Sequence, residues 1–119
     1  MKDKPTRYFS SKQEKSVAKF VGGKVVANSG ATLFSKGDVK LDNMLIECKT
    51  KVNPTNSFSI KKEWLEKNEE EAFAMGKDYS ALCFNFGDLH NTKNYYVIDE
   101  NLFKKLLNTI KEENENGRI

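Results

Sequence analysis

Gly37-Asp38-Val39-Lys40-Leu41-Asp42-Asn43-Met44-Leu45-Ile46-Glu47-Cys48-Lys49 puts one carboxylate on each side of a turn and an ammonium two residues beyond the second. If Leu41 to Asn43 close a hairpin, Glu47 and Lys49 share one side of their strand, because side chains alternate with a period of two. Asp38 then meets them from the neighbouring strand. Two acids and a lysine at one point are costly to assemble, since like charges repel and raise each other's pKa. A divalent cation removes that cost and suits such a group to phosphodiester hydrolysis. Asp42, inside the same stretch, reads as a turn residue. A surface ion pair is the alternative for Asp38, Glu47 and Lys49, and it leaves the apolar strand carrying Glu47 unexplained.

Working outward, the amino-terminal side predicts a helix opening at Ser10-Ser11 before Lys12-Gln13-Glu14, with Val17, Phe20 and Val21 on its apolar side and Gly22-Gly23 ending it. Lys24 to Ala27 reads as a strand running into the loop Asn28-Ser29-Gly30, followed by strands at Asp38 to Leu41 and Met44 to Thr50. Asn53-Pro54-Thr55-Asn56 is a break. From Ser59 or Ile60 to about Lys77 the pattern is helical, with Ile60, Trp64, Leu65, Ala72, Phe73 and Met75 forming the core-facing stripe and Trp64 an anchor within it. Glu69-Glu70-Glu71 reads as a solvated face of that helix. Beyond Gly76 come a strand from Tyr79 to Phe86, a polar loop from Gly87 to Thr92 holding His90, and a strand from Tyr95 to Ile98. A last helix follows at Asn101 to Lys111, with Leu102, Phe103, Leu106, Leu107 and Ile110 on one side and a polar, frayed tail from Glu112.

The order helix, three strands, helix, two strands, helix predicts an α/β sandwich with a mixed central sheet flanked by helices. At 119 residues the chain has room for one core, so it reads as a single domain over 1–119 with flexible ends at about 1–9 and 112–119. No run approaches the length of an apolar membrane span, and Met1-Lys2-Asp3-Lys4-Pro5 lacks an apolar stretch behind its charges, so the expected setting is cytoplasmic. Cys48 and Cys83 lie in apolar strands, where a free thiol behaves as a small buried hydrophobe. The single histidine cannot build the usual zinc site. Residues 1–62 carry 13 Lys or Arg against 5 Asp or Glu, a net +8, and residues 63–119 carry 7 against 12, a net −5. The acid cluster lies in the basic half, an arrangement that suits a polyanionic substrate.

These motifs, taken together, resemble the PD-(D/E)xK nuclease superfamily with its restriction-endonuclease-like sandwich, and within it the archaeal-type Holliday junction resolvases. The resemblance runs from about Ser11 to Phe86 and rests on the helix-borne Glu14, the loop Val25 to Gly30, Gly37-Asp38, Glu47-Cys48-Lys49, and a helix followed by an apolar strand. It implies that Asp38 and Glu47 ligate Mg²⁺, for which Mn²⁺ substitutes, with the backbone carbonyl of Cys48 as a further oxygen ligand. Glu14 would complete the set directly or through water, and Lys49 would orient the attacking water and stabilise the transition state. The loop residue Ser29 would touch the scissile phosphate, and Lys12, Lys36, Lys51, Lys61 and Lys62 would contact the DNA backbone. The implied activity is a metal-dependent endonuclease, a homodimer cutting a four-way junction by paired symmetric nicks. Two alternatives stay open at this point. One is another nuclease of the superfamily acting on duplex, nicked or flap DNA; the other is a non-catalytic nucleic-acid-binding module.

Overall fold

A computed structural model of the chain describes residues 6–26, 38–51, 53–87 and 92–117, with side chains from Ser11 onward. Helix α1 (Thr6–Val21) leads into β1 (Lys24–Val25), β2 (Val39–Lys40) and β3 (Met44–Lys49), and these are followed by α2 (Lys62–Ala74), β4 (Tyr79–Phe84), β5 (Tyr95–Val97) and α3 (Glu100–Asn116). The five strands form one sheet in the order β1-β2-β3-β4-β5. Only β3 and β4 run parallel; the other neighbours are antiparallel, so the sheet is mixed. That is the expected α/β class and element order. Among the described residues no helix is long and apolar enough to cross a membrane.

α1 covers one face of the sheet. Val17 and Ala18 pack there against Val39, Ile46, Ala81 and Cys83 in a dry cluster. The turn from α1 to β1 needs its glycines: Gly22 has φ +74°, and a Cβ on Gly23 would stand 2.6 Å from the Lys40 carbonyl oxygen. α2 crosses the opposite face, where Leu45, Val26 and Ala72 make a smaller cluster edged by Met75. Asn68, fully buried on α2, donates its side-chain amide to the Ala81 carbonyl at 2.9 Å and so holds the helix to β4.

Several elements differ from the expected bounds. α1 begins at Thr6, ahead of the Ser10-Ser11 cap, because Thr6 to Phe9 contain no helix breaker. α2 begins at Lys62, so Ile60 precedes it and is exposed, and Phe73 is 84% exposed. The inner face of α2 is set by Asn68, Glu71 and Ala72, which rotates the expected stripe away from Phe73. α3 continues to Asn116 with Gly117 as its C-cap, so the tail from Glu112 is helical. Its first turn is anchored by the Asp99 side chain, which accepts from Leu102 N–H at 2.8 Å, and by buried Leu102; Phe103, Leu106 and Ile110 of the expected core side remain exposed. Among the described residues these three belong to neither core cluster. Ala27 to Gly30 and His90 lie outside the described residues.

Candidate active site

The hairpin forms as the sequence predicts. Leu41 N–H donates to the Met44 carbonyl at 2.8 Å, Val39 pairs with Ile46, and Lys40 pairs with Leu45. Continuing this register places Asp38 opposite Glu47. The α2–β4 turn clamps the hairpin tip: Lys77 Nζ donates to the carbonyls of Leu41 (2.5 Å) and Asp42 (2.9 Å), and the Asp78 N–H donates to Asn43 Oδ1 at 2.8 Å. Val26 N–H donates to the Asp38 carbonyl at 2.7 Å and ties the start of β2 to β1. Register matters here because a slip of one residue would turn Asp38 and Glu47 to the α1 face.

Since Val39 and Ile46 face α1, alternation sends Asp38, Glu47 and Lys49 to the face that α2 covers. Asp38 is 1% exposed and Glu47 5%. Lys49 Nζ stands 2.8 Å from Glu47 Oε2 and 4.3 Å from the centre of the Trp64 ring. Burial, with the Glu47 and Glu71 carboxylates beside it, pushes the Asp38 carboxyl up to about 8; a hydrogen bond with Glu71 works in the same direction and Lys49 opposes it. Among the described residues Asp38 Oδ2 is buried without a hydrogen-bond partner.

Glu71 is the member that reading the sequence missed. Glu69 and Glu70 are exposed as expected, but Glu71 is 5% exposed and hydrogen-bonds to Asp38. The expectation of a solvated face fails for this residue because the helical period carries Glu71 onto the inner arc with Asn68, Ala72 and Met75. Its spacing from Ala72 and Met75 was the available signal, and the charge run masked it.

Glu14 is buried on α1, on the other side of the sheet, where its charge pushes the Cys48 thiol up. The stronger causes of that shift are a hydrogen bond with Cys83 and burial. Cys48 and Cys83 are in register on adjacent strands, and the neighbouring Gln13 donates from Nε2 to Cys83 Sγ at 3.9 Å and to the Lys49 carbonyl at 3.0 Å. Thr50 donates its hydroxyl to Gln13 Oε1. α1 is thereby fastened to the strand segment that bears Glu47 and Lys49.

Of the sequence-predicted phosphate contacts, Lys51 rests over the Phe58 ring at 5.2 Å and Lys61 over the Trp64 ring at 5.7 Å, so both stand at the site with Lys49. Lys12 is exposed on α1 and Lys62 is exposed at the start of α2. Ser29 and Lys36 lie outside the described residues. Trp64, expected as a core anchor, is half-buried and belongs to neither core cluster; it forms a wall of the site against Lys49.

Among the described residues no three histidine, cysteine or acidic side chains are arranged to hold one metal ion. The donors present nonetheless fit Mg²⁺, which keeps several waters and uses one or two carboxylates rather than a full protein cage. Asp38 and Glu47 supply that pair of hard oxygens, and Asp38 Oδ2 is a buried oxygen with no hydrogen-bond partner among the described residues. No protein-family model, curated protein or solved structure matches the chain.

Proposed function

We propose that this protein is a Mg²⁺-dependent, structure-selective DNA endonuclease of the PD-(D/E)xK type, acting as a homodimeric Holliday junction resolvase. The observation that carries the reading is the convergence of buried Asp38 and Glu47 from opposed strands with Lys49 Nζ 2.8 Å from Glu47. Burying carboxylates together costs stability, and a fold keeps such an arrangement where chemistry requires it.

Asp38 and Glu47 would hold the ion, with the Cys48 carbonyl as a further oxygen; Glu14, expected to complete the set, is buried on the α1 side of the sheet and is left out of it. When bound, Mg²⁺ polarises a phosphoryl oxygen and neutralises charge on the phosphate. Lys49 stabilises the charge that develops on the phosphoryl oxygens and orients the attacking water, while Glu47 and the Trp64 ring hold its ammonium in place. Glu71 hydrogen-bonds to the Asp38 carboxyl and holds it in place beside Glu47, where a bound cation would offset the charge that the two carboxylates bring together. Lys51 and Lys61 attract the backbone without reading sequence. A four-way junction has approximate two-fold symmetry, and two symmetric nicks need two sites related by the same axis, hence the dimer.

The test is cleavage of a labelled synthetic four-way junction beside matched linear duplex, with Mg²⁺ or EDTA, using wild type and Asp38→Asn. Paired nicks in the junction, lost with EDTA and in the variant, are the expected result. Metal-dependent cutting of both substrates moves the protein to the wider nuclease class. Tight junction binding with no cutting removes the hydrolase reading and leaves a binding module.

A further inference from the structure

Two residues beyond the acids, the same strands carry a second row on the same face. Lys49 is in register with Phe84, and Phe84 with Tyr95, across β3, β4 and β5. Phe84 stacks on Tyr95 with centroids 5.7 Å apart and rings inclined by 27°. It also stacks on Phe58, from the segment before α2, at 4.7 Å and 29°. Phe84 is therefore flanked by two rings, and lysines rest over both flanking rings: Lys51 at 5.2 Å from Phe58 and Lys93 at 5.4 Å from Tyr95. Phe86 braces this stack edge-on against Phe84 and Tyr95. Phe58 leans on Trp64, centroid to centroid 6.3 Å, which joins the stack to the wall of the acid site.

This cluster is assembled at the surface. Tyr95 is 41% exposed, Phe58 and Phe84 are half-buried, and Lys93 is exposed. A cation over an exposed ring contributes only about 0.5–1 kcal/mol, so the lysines are free to leave the rings for a better partner. Four lysines, Lys49, Lys51, Lys61 and Lys93, crowd one patch and favour a polyanion. The backbone under the rings is held in place: Thr55 N–H donates to the Phe86 carbonyl at 2.8 Å. Gly87, at φ +84°, brings the Asn53 carbonyl so close that a Cβ would lie 2.6 Å from its oxygen.

We propose that the Phe58–Phe84–Tyr95 stack is a platform for unpaired nucleotides, with bases stacking on Phe58 and Tyr95 and Lys51 and Lys93 moving to the adjoining phosphates. A base inside a duplex presents only its edge in a groove, whereas an unpaired base offers a face to a ring. The row lies about 6–7 Å along the strands from Glu47, and Tyr95 stands two strands, about 10 Å, to the side of β3. The nucleotides that stack are thus a few residues along the DNA strand from the phosphate at the acid site. The platform deepens the proposed nuclease reading and rests on it for the nature of the polyanion; it favours DNA whose strands splay apart at a branch point, as in an opened four-way junction.

Fluorescence anisotropy with labelled oligothymidine, four-way junction and linear duplex, all in EDTA so that nothing is cut, tests the platform separately from catalysis. Wild type is compared with Tyr95→Ala, Tyr95→Leu and Tyr95→Phe, each checked for unchanged melting. The expected result is a loss of about 5- to 150-fold in affinity for oligothymidine in the Ala and Leu variants, retention in the Phe variant, and little change for duplex. Tyr95→Leu preserves apolar packing without a π face, so it remains informative if the Ala variant fails to fold. Absence of oligothymidine binding by wild type, equal affinity in all variants, or an equal loss on all three DNAs overturns the platform. Stacking-dependent binding by a wild type that never cuts with Mg²⁺ upholds the platform and removes the hydrolase reading; cutting without stacking dependence does the reverse.

Discussion

The two faces of the sheet are built by alternate residues of the same strands, yet around the hairpin the side chains that β2 and β3 turn to one face are apolar and those they turn to the other include two acids and a lysine. Toward α1 lie Val39, Ile46, Ala81 and Cys83, packed on Val17 and Ala18. Toward α2, one residue along in each case, lie Asp38, Glu47 and Lys49, with Glu71 and Asn68 coming down from the helix. Apolar burial on the first face contributes on the order of 25 cal/mol per Å², while crowded carboxylates on the second work against folding. The contrast separates an apolar side under α1 from the side under α2 that carries the proposed site, within a strand as short as β3.

The largest effect expected from breaking this division is on activity. Glu47→Ala removes the acceptor that holds Lys49 and a candidate ion ligand, and junction cleavage should fall by about 10³-fold or more while junction binding in EDTA persists. A single-turnover assay beside a gel shift reads both; a variant that cuts like wild type ends the hydrolase reading. One residue away, Ile46→Ala should cost about 2–4 kcal/mol of stability by leaving a cavity beside Val17 and Ala81. Urea denaturation measures this loss, and cleavage per folded molecule should be unchanged. Opposite outcomes for neighbouring residues are what the two-face division requires.

Asp38→Asn should stabilise the fold. The carboxyl is raised to about 8 by burial and its acidic neighbours, against 3.8 as its ordinary value. Below about pH 4 it is protonated in both folded and unfolded chains and costs nothing. Between pH 4 and 8 the unfolded chain releases its proton and the folded one keeps it, so stability falls as pH rises; above 8 the full cost is present. The Asn variant should therefore match wild type near pH 4 and exceed it by a margin that widens up to about pH 8, read from thermal melts across pH. Mg²⁺ at millimolar concentration should raise the melting temperature of wild type and leave Asp38→Asn nearly unmoved. The smallest pair compares neighbours on α2: Glu71→Gln should stabilise by about 1 kcal/mol by relieving the repulsion with Asp38. Glu70→Gln, on the exposed side, should stay within about 0.5 kcal/mol. Equal shifts for both would return Glu71 to the solvated face that its charge run implied.

Asp38 and Glu47 were legible because the hairpin is local and the strand period is strict; once Leu41 to Asn43 turn, their meeting follows. Lys49 was legible for the same reason. Glu71 was obscured because a run of three acids fits any face of a helix until packing chooses one. Phe73 was misplaced by the same rotation: its hydrophobicity put it on the inner stripe, while Asn68 and Glu71 took the inner positions through a hydrogen bond to Ala81 and contact with Asp38. The aromatic platform could not be read along the chain at all, since Phe58, Phe84 and Tyr95 come from three segments and neither a stacking partner nor a lysine over a ring has a sequence period.

By itself the sequence determined the order of elements, the hairpin and the convergence of two acids with a lysine, because alternation and turn chemistry act over a few residues. Tertiary structure alone decided which face of the sheet those groups share, that Glu71 rather than a neighbouring acid joins them, and that rings from distant segments stack beside them. Those outcomes depend on how α2 rotates onto β3 and β4, and that rotation is set by buried contacts made across the chain rather than along it.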